Sequence, residues 1–399
     1  MTQAVSWVLL AGAAAGALIL VLQVFSLARH LSEAPPRPAT FPGISILKPL
    51  CGVDDDLARL LDEFAALDYP TYEVVLGVRD TADAAWPVAR AAAARHPGRL
   101  RVALQRGEPG FNPKVNQLVT LAAEARHDVL VISDSNVSVD GTYLREVAAH
   151  LADPRVGIVT HPVAGVGEER LGALLDNVHM TACIAPGMVA ASRIAGKALV
   201  VGKSIALRRA DLEALGGFES VRDVLAEDYV LGALVTGALG KRAVVARRPV
   251  FNVTRTRTVG EFLARYRRWS VLHRRAVGLA TYLAELLLFP VVLAFAALAL
   301  APSVWSALGV LVVGLVRIVS DDACVRMLRP VPLRPYALLA FPLRELLLWV
   351  AWLDGLVRRR VVWRGNRLWV GPGTVLSELP VRRSWRRRRA LLLGARAVR

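Results

Sequence analysis

The chain has 399 residues, 54% of them hydrophobic, and a mean hydropathy of +0.42 that is too high for an ordinary soluble enzyme. Charge is still plentiful, with 50 Lys and Arg against 33 Asp and Glu for a net +17. Apolar and basic residues are therefore segregated, as in a membrane protein with a charged domain on one side. No nucleic-acid-binding module is recognisable, and the basic residues crowd around apolar runs, so anionic lipid headgroups and a phosphate-bearing ligand are the expected partners, and no nucleic acid. Cys51, Cys183 and Cys324 are widely spaced without a CxxC, which implies no disulfide framework or zinc site and suits a reducing cytosol.

Residues 1–30 read as an N-terminal membrane anchor. No charge occurs before Arg29, and Val5 to Phe25 is long enough to cross ~30 Å of hydrocarbon. A signal peptide would need a basic start and a shorter apolar run. Arg29 and His30 follow the run, so the positive-inside rule places the next domain in the cytosol. Residues 31–42 are a stiff Pro-rich linker. An α/β domain over 43–258 follows. Strands are predicted at Ile44 to Leu47, Glu73 to Val78, Arg101 to Leu104 and 129–133. Helices over Asp56 to Leu67, Ala82 to His96 and Val115 to Arg126 separate them, a βαβ alternation that predicts a parallel sheet. Val129 to Ser133 is a buried strand that delivers Asp134 to the crevice beyond its carboxyl end. The plain alternative makes Asp134 the cap of a helix over Ser138 to His150. Beyond lie a strand at Val156 to Thr160, a helical stretch from Leu171 to Lys197, a strand running into a helix over Ser204 to Gly217, and a helix over Val224 to Leu239. Arg242 to Val253 reads as the last strand.

Residues 259–278 form a basic amphipathic helix that sets Phe262, Tyr266 and Trp269 among arginines, a composition suited to the headgroup level. Residues 279–357 are membrane-like. Leu286 to Val316 carries no charge, and as one helix it would be ~46 Å long, so two passes turning at Pro302 fit better. Tyr336 to Leu356 is interrupted by Arg344, Glu345 and Asp354, and reads as a crossing with a polar inner face or, on topology, as an in-plane helix. Residues 358–399, with Arg358 to Arg360 and Arg386 to Arg389, read as a basic cytosolic tail drawn to anionic lipid.

Asp80, Asp134 and Asp228 fall at strand ends or helix starts, with Arg265, Arg268 and Trp269 downstream. Sugar transfer from a nucleotide diphosphate needs this inventory: an acid for the nucleotide, one for a divalent cation, a base for the acceptor hydroxyl, and cations for the leaving phosphates. Taken singly, each acid has a plain reading as a cap, and the Arg-rich helix has one as a lipid-facing collar.

Together these stretches resemble a known family, the ceramide glucosyltransferases of glycosyltransferase family 21, which have a fold like that of family 2. Ile46-Leu47-Lys48-Pro49-Leu50-Cys51-Gly52 is similar to the first-strand motif and Val78-Arg79-Asp80 to the first acid. Asn112-Pro113-Lys114 through Ser133-Asp134-Ser135 is similar to the second acid region. Ala226-Glu227-Asp228-Tyr229 is similar to the third, and Arg265-x-x-Arg268-Trp269 to the (Gln/Arg)-x-x-Arg-Trp element. Hopanoid-associated glycosyltransferases share much of this pattern. The resemblance implies a GT-A fold, a Rossmann-like nucleotide-sugar-binding sheet with flanking helices, plus one N-terminal and two to three C-terminal transmembrane helices. It implies a multi-pass membrane protein with a cytosolic catalytic domain, a UDP-sugar donor and a membrane lipid acceptor. By it, Asp228 is the base of an inverting displacement, Asp80 contacts the uridine and Asp134 binds the metal–diphosphate. Lys48, Lys114, Arg265, Arg268 and Trp269 complete the nucleotide-sugar site. The pair Asp134-x-Asn136 departs from the usual Asp-x-Asp, and a neutral amide is a weak ligand, so Mg²⁺ or Mn²⁺ is expected to arrive loosely held with the nucleotide. Alternatives of the same fold are a hopanoid-polyol N-acetylglucosaminyltransferase and an inactive membrane scaffold.

Overall fold

The computed structural model describes residues 1–363 and 366–378; the predicted basic run Arg386 to Arg389 lies outside the described residues. The first helix, α1, spans Thr2–Ser32. Among the described residues it is the one helix long and apolar enough to cross a membrane; a bent pair farther on would be a second. Val8, Leu18 and Phe25 project from it unpartnered. Its far end is docked on the α/β domain. His30 Nε2 lies 2.8 Å from the Ala246 carbonyl, and Glu33 pairs with Arg193 at 2.7 Å and Arg247 at 2.5 Å.

Strands β1 (Ile44–Pro49), β2 (Tyr72–Val78), β3 (Leu100–Leu104) and β4 (Val129–Ser133) alternate with α2 (Leu57–Ala65), α3 (Ala85–Arg95) and α4 (Pro113–Glu124), as the βαβ pattern predicts. β1, β2 and β4 are buried throughout, which is why they read as continuous apolar runs. Helix α4 starts where the sequence places its signal: the Asn112 side chain accepts the N–H groups of Lys114 and Val115, and Pro113 occupies the first turn.

After β4 the predictions fail in two places. Val137–Ser138 forms a short strand, β5, and the next helix, α5 (Tyr143–Leu151), begins later than Ser138. Asp134 therefore caps no helix. The chain continues through β6 (Val156–Thr160), β7 (Val163–Val166), α6 (Leu171–His179), a π-helical turn at Met180–Ile184, α7 (Ala185–Ala195), β8 (Ser204–Arg208), α8 (Arg209–Ala214), α9 (Glu227–Gly237), β9 (Arg242–Val245) and β10 (Val250–Val253). The predicted single strand over Arg242 to Val253 is thus two. The break has a cause: the Arg247 and Arg248 N–H groups are taken by the Glu146 carboxylate at 2.5 and 3.2 Å, and Pro249 has none to give.

The main sheet has seven strands in the order β3-β2-β1-β4-β8-β6-β9. It is mixed rather than parallel, because β8 runs antiparallel to both β4 and β6. The chain leaves β6 at the crevice end, makes its excursion through α6 and α7 there, and re-enters at Ser204 opposite Ser133, so it can only run backwards. A second sheet, β5-β10-β7, abuts the crevice.

α10 (Val259–Val277) opens on a capping box made by Thr258 and Glu261 and packs between α6 and a later helix. Then come α11 (Leu279–Ala284), α12 (Pro290–Leu300), α13 (Val304–Leu328) and α14 (Ala340–Val357). The turn at Pro302 is where it was expected, but its first arm is short. Residues Leu279–Leu288 and Pro290–Leu300 meet at 78°. In α14, Arg344 and Glu345 point into protein rather than water: Arg344 reaches Asp321 of α13 at 2.8 Å and Glu345 lies 3.5 Å from Arg317. The polar face of α14 is therefore turned toward α13. The expected tail also holds structure. β11 (Arg360–Trp363), β12 (Asn366–Val370) and β13 (Leu376–Glu378) form an antiparallel sheet. Val361, Leu368, Val370 and Leu376 bury against Val271 of α10 and Leu225.

Candidate functional site

The carboxyl ends of β1 and β4 and the turn before β8 converge on Asp134. Lys114, in the first turn of α4, places Nζ 3.0 Å from Asp134 Oδ1 and 2.9 Å from Glu227 Oε1, and donates to the Gly202 carbonyl at 3.3 Å. Lys203 stands on the other side, 3.0 Å from Asp134 Oδ2, and donates to Asn136 Oδ1 at 2.9 Å. Lys48 lies beneath, donating to the Asp134 carbonyl at 2.8 Å and to the Ser133 hydroxyl at 3.2 Å, with its ammonium 3.8 Å from the centre of the Phe64 ring. Two ammoniums thus flank one carboxylate, a third lysine holds its backbone carbonyl, and Lys114 couples it to a second acid. Burial opposes ionisation of Asp134, but Lys114 and Lys203 overcome it and hold the carboxyl far below its ordinary range. Lys114 moves the other way: burial opposes its charge, yet Asp134, Glu227 and Asp228 hold it well above the usual lysine range. Lys48 has less help, and burial pushes it down to about 7.

Asp228, one residue beyond Glu227 at the start of α9, is the exception among the acids. Its Oδ2 accepts the Gly202 N–H at 2.5 Å and its Oδ1 the Tyr229 N–H at 2.8 Å. Burial and the neighbouring Glu227 push its carboxyl up to about 6, against the opposing pull of Lys114. A carboxylate of that kind is poised to take a proton near neutral pH. The approach requires glycine at 202: a Cβ there would meet Asp228 Oδ2 at 2.8 Å.

Arg265 lies on α10 with its guanidinium 4.5 Å from the Trp269 ring centre and its Nε 3.5 Å from Asp176 Oδ1. It is close enough to Asp134 and Lys203 for their charges to act on one another. Asp176, fully buried on α6, also takes the Tyr266 hydroxyl at 2.7 Å and pairs with Arg257. Arg268, one turn on, is half-buried. Trp269 packs against two of the hydrophobic cores of the molecule. Asp80 stands apart. It is exposed at the end of β2, accepts the N–H groups of Ala82 and Asp83 at 2.9 and 3.1 Å, and touches none of the lysines.

The structure therefore brings together Lys48, Lys114, Asp134 and Asp228, sets Arg265 and Trp269 beside them, and leaves Asp80 at the rim. Sequence reasoning missed Gly202, Lys203, Asp176 and the pairing role of Glu227. The Gly202-Lys203 pair carries a readable signal, a glycine and a cation at the mouth of a strand, whereas Asp176 sits unannounced inside an apolar helix.

A model of the family described as glycosyl transferase family 21 matches residues 8–376. Ceramide glucosyltransferase 1 of Caenorhabditis elegans is 27% identical over 247 residues, which is 61% of this chain and 52% of that protein. The ceramide glucosyltransferase of Komagataella phaffii is 28% identical over 216 residues, 48% of this chain and 42% of that one. The matches thus span about half the length of these relatives. Among solved structures, the mannosyltransferase PcManGT from Pyrobaculum calidifontis, in complex with GDP-Man and Mn²⁺, is similar with a TM-score of 0.54 and 21% identity over 90% of this chain and 99% of its own. That likeness extends to the GT-A-like fold, mixed sheet included.

Proposed function

Since the chain belongs to glycosyl transferase family 21, we propose that this hexosyltransferase moves glucose from UDP-glucose to the hydroxyl of a membrane lipid, ceramide, with inversion to a β-glucosyl lipid. The observation that carries the reading is Lys114, which ties Asp134 to Glu227 and so puts the phosphate-side acid and the base, Asp228, in one crevice. The ceramide glucosyltransferase relatives support the choice of acceptor and donor.

In this reading the uridine lies toward Asp80, and the diphosphate lies over Lys114, Lys203 and Arg265. As the bond from the anomeric carbon to the phosphate oxygen breaks, these cations meet the charge that develops on the leaving group. Asp228 accepts the proton of the lipid hydroxyl as its oxygen attacks the opposite face of the sugar. Arg268 and Trp269 steady the diphosphate and the acceptor at the headgroup level. Helix α1 and the exposed apolar faces of α13 and α14 hold the crevice at a bilayer, with the catalytic domain cytosolic and the helices of 279–357 in the membrane.

A divalent cation fits this site in one way. Among the described residues no cluster of three metal-ligating side chains occurs, and both oxygens of Asp134 are engaged by lysines. Asp134 would then be the one carboxylate of the site to hold it, with the bound nucleotide diphosphate as its partner. When bound, Mg²⁺ or Mn²⁺ adds further neutralisation of the diphosphate.

The test is purified protein with labelled UDP-glucose or UDP-N-acetylglucosamine against vesicles containing ceramide or hopanoid polyols. Glucose on ceramide is expected. N-acetylglucosamine on a hopanoid polyol would replace the proposed substrates, and no product on any lipid would overturn the reading.

A further inference from the structure

The segment that carries Glu227 and Asp228 into the crevice is held by a part of the chain that lies beyond every membrane-like helix. On one side, Asn112 fixes it: its N–H donates to the Arg222 carbonyl at 2.9 Å, and its Nδ2 donates to the Val224 carbonyl at 2.7 Å and to Glu227 at 3.3 Å. On the other side stands the turn between β12 and β13. The Thr374 carbonyl accepts the Leu225 N–H at 3.0 Å, and its hydroxyl accepts the Ala226 N–H at 3.3 Å. Leu376 N–H donates to the Asp223 carbonyl at 2.6 Å, and Val375 bridges Val224. Residue 226 precedes α9, and no side chain of the segment itself caps that helix.

Thr374 is fully buried and has φ +62°. A β-branched residue in the left-handed region is strained, whereas glycine would sit there freely. Such strain persists where surrounding contacts over-determine it, and it collects at functional sites. Here the neighbours are identified: the hydroxyl that glycine would lack is spent on the Ala226 amide, two residues from Asp228.

We propose that Thr374 is a positioning residue for Asp228, brought to the α/β domain by the small sheet that follows the last helix. Its carbonyl and hydroxyl fix Leu225 and Ala226, so that α9 begins where Asp228 meets the Gly202 amide and Glu227 meets Lys114. The inference rests on the reading of Asp228 as the base. The charged groups facing Asp228 are Glu227 from its own helix and Lys114 from α4. If the turn relaxes, water enters and the elevated Asp228 carboxyl falls toward its ordinary value.

The experiment compares Thr374→Ser, Thr374→Val and Thr374→Gly in the full-length, bilayer-embedded protein. Valine keeps the branch and removes the hydroxyl, while glycine removes the hydroxyl and relieves the strain, so one of the two folds even if the other does not. Expected for both is a fall in kcat of ten-fold or more, with KM for the donor and the Kd for UDP within two-fold of the parent. The acid limb of the kcat–pH profile should move to lower pH, and hydrogen exchange should quicken at residues 223–230. Serine should restore all three. Unchanged kcat and acid limb in either variant would overturn the proposal. If the parent protein transfers no sugar, the proposed function fails separately, and exchange at 225–226 then judges the role of Thr374: unchanged protection overturns it.

Discussion

Lys203 Nζ stands 3.0 Å from Asp134 Oδ2, on the side of the carboxylate that faces Asn136. A cationic side chain thus lies where a second acid at 136 would have drawn a metal. Asn136 cannot supply that charge, and its amide nitrogen is already committed to Asn252 and to the Val253 carbonyl, both at 3.1 Å.

Lys203→Ala should therefore cut kcat/KM by ~10²–10³, the loss typical of one preorganised donor to developing charge. Lys203→Arg should recover only part of it, since a planar guanidinium does not reproduce a buried point charge. Steady-state kinetics together with UDP titration calorimetry will separate transition-state loss from donor binding.

Asp228→Asn should abolish transfer and leave UDP affinity nearly unchanged. In the parent, kcat should fall as pH drops through about 6, where Asp228 takes up its proton. The stability consequence has the opposite sign from the catalytic one. A carboxyl raised in the fold stabilises fully only below its unfolded value, and that contribution is lost as pH rises through about 6. Asn turns an amide NH2 toward one of the two N–H groups that the carboxylate accepts, so the absolute Tm of Asp228→Asn is not the readout. The parent should lose more Tm between pH 4 and pH 7.5 than Asp228→Asn does, and equal losses would contradict the burial argument.

Chelation should weaken UDP binding without removing it, because Lys114, Lys203 and Arg265 remain. In Asp134→Ala the difference between chelated and Mg²⁺-loaded protein should disappear. Calorimetry at fixed ionic strength measures both, and an undiminished metal effect in the variant would place the cation elsewhere.

Asp176→Ala should destabilise the fold by about 3–5 kcal/mol, since it leaves Arg257 and Arg265 without their buried counter-charge. Activity should fall with it, through displacement of Trp269. Thermal unfolding in detergent or nanodiscs reads the first effect. Asp176→Asn, which keeps an acceptor for Tyr266, should lie between the two.

The first half of the sheet was legible because β1, β2 and β4 are buried on both faces and the helices between the strands carry their own end signals; Asn112-Pro113 is the clearest start. The second half was not. Whether β8 runs forward or back depends on the end from which the chain returns, and no local residue records that. Likewise nothing in Arg242 to Val253 says that a distant carboxylate, Glu146, will claim two N–H groups and split the strand. For the site, acids at strand ends could be read as a set. Their cationic partners could be read only in part, because Lys203 and Asp176 acquire meaning from neighbours some seventy to ninety residues away.

The inner end of α1 holds a final consequence. Glu33 grips Arg193 of α7 and Arg247 of the β9–β10 bend, and His30 meets the backbone at Ala246. On the proposed reading of α1 as the membrane anchor, a helix fastened so close to its exit from the lipid would leave little slack, so the depth of the bilayer and the height of the crevice would be set together. Lengthening α1 by a turn would then lift the crevice by about 5.4 Å, and an insertion in the 34–42 linker would not. Reach toward the lipid is a property of the anchor's length rather than of the tether's.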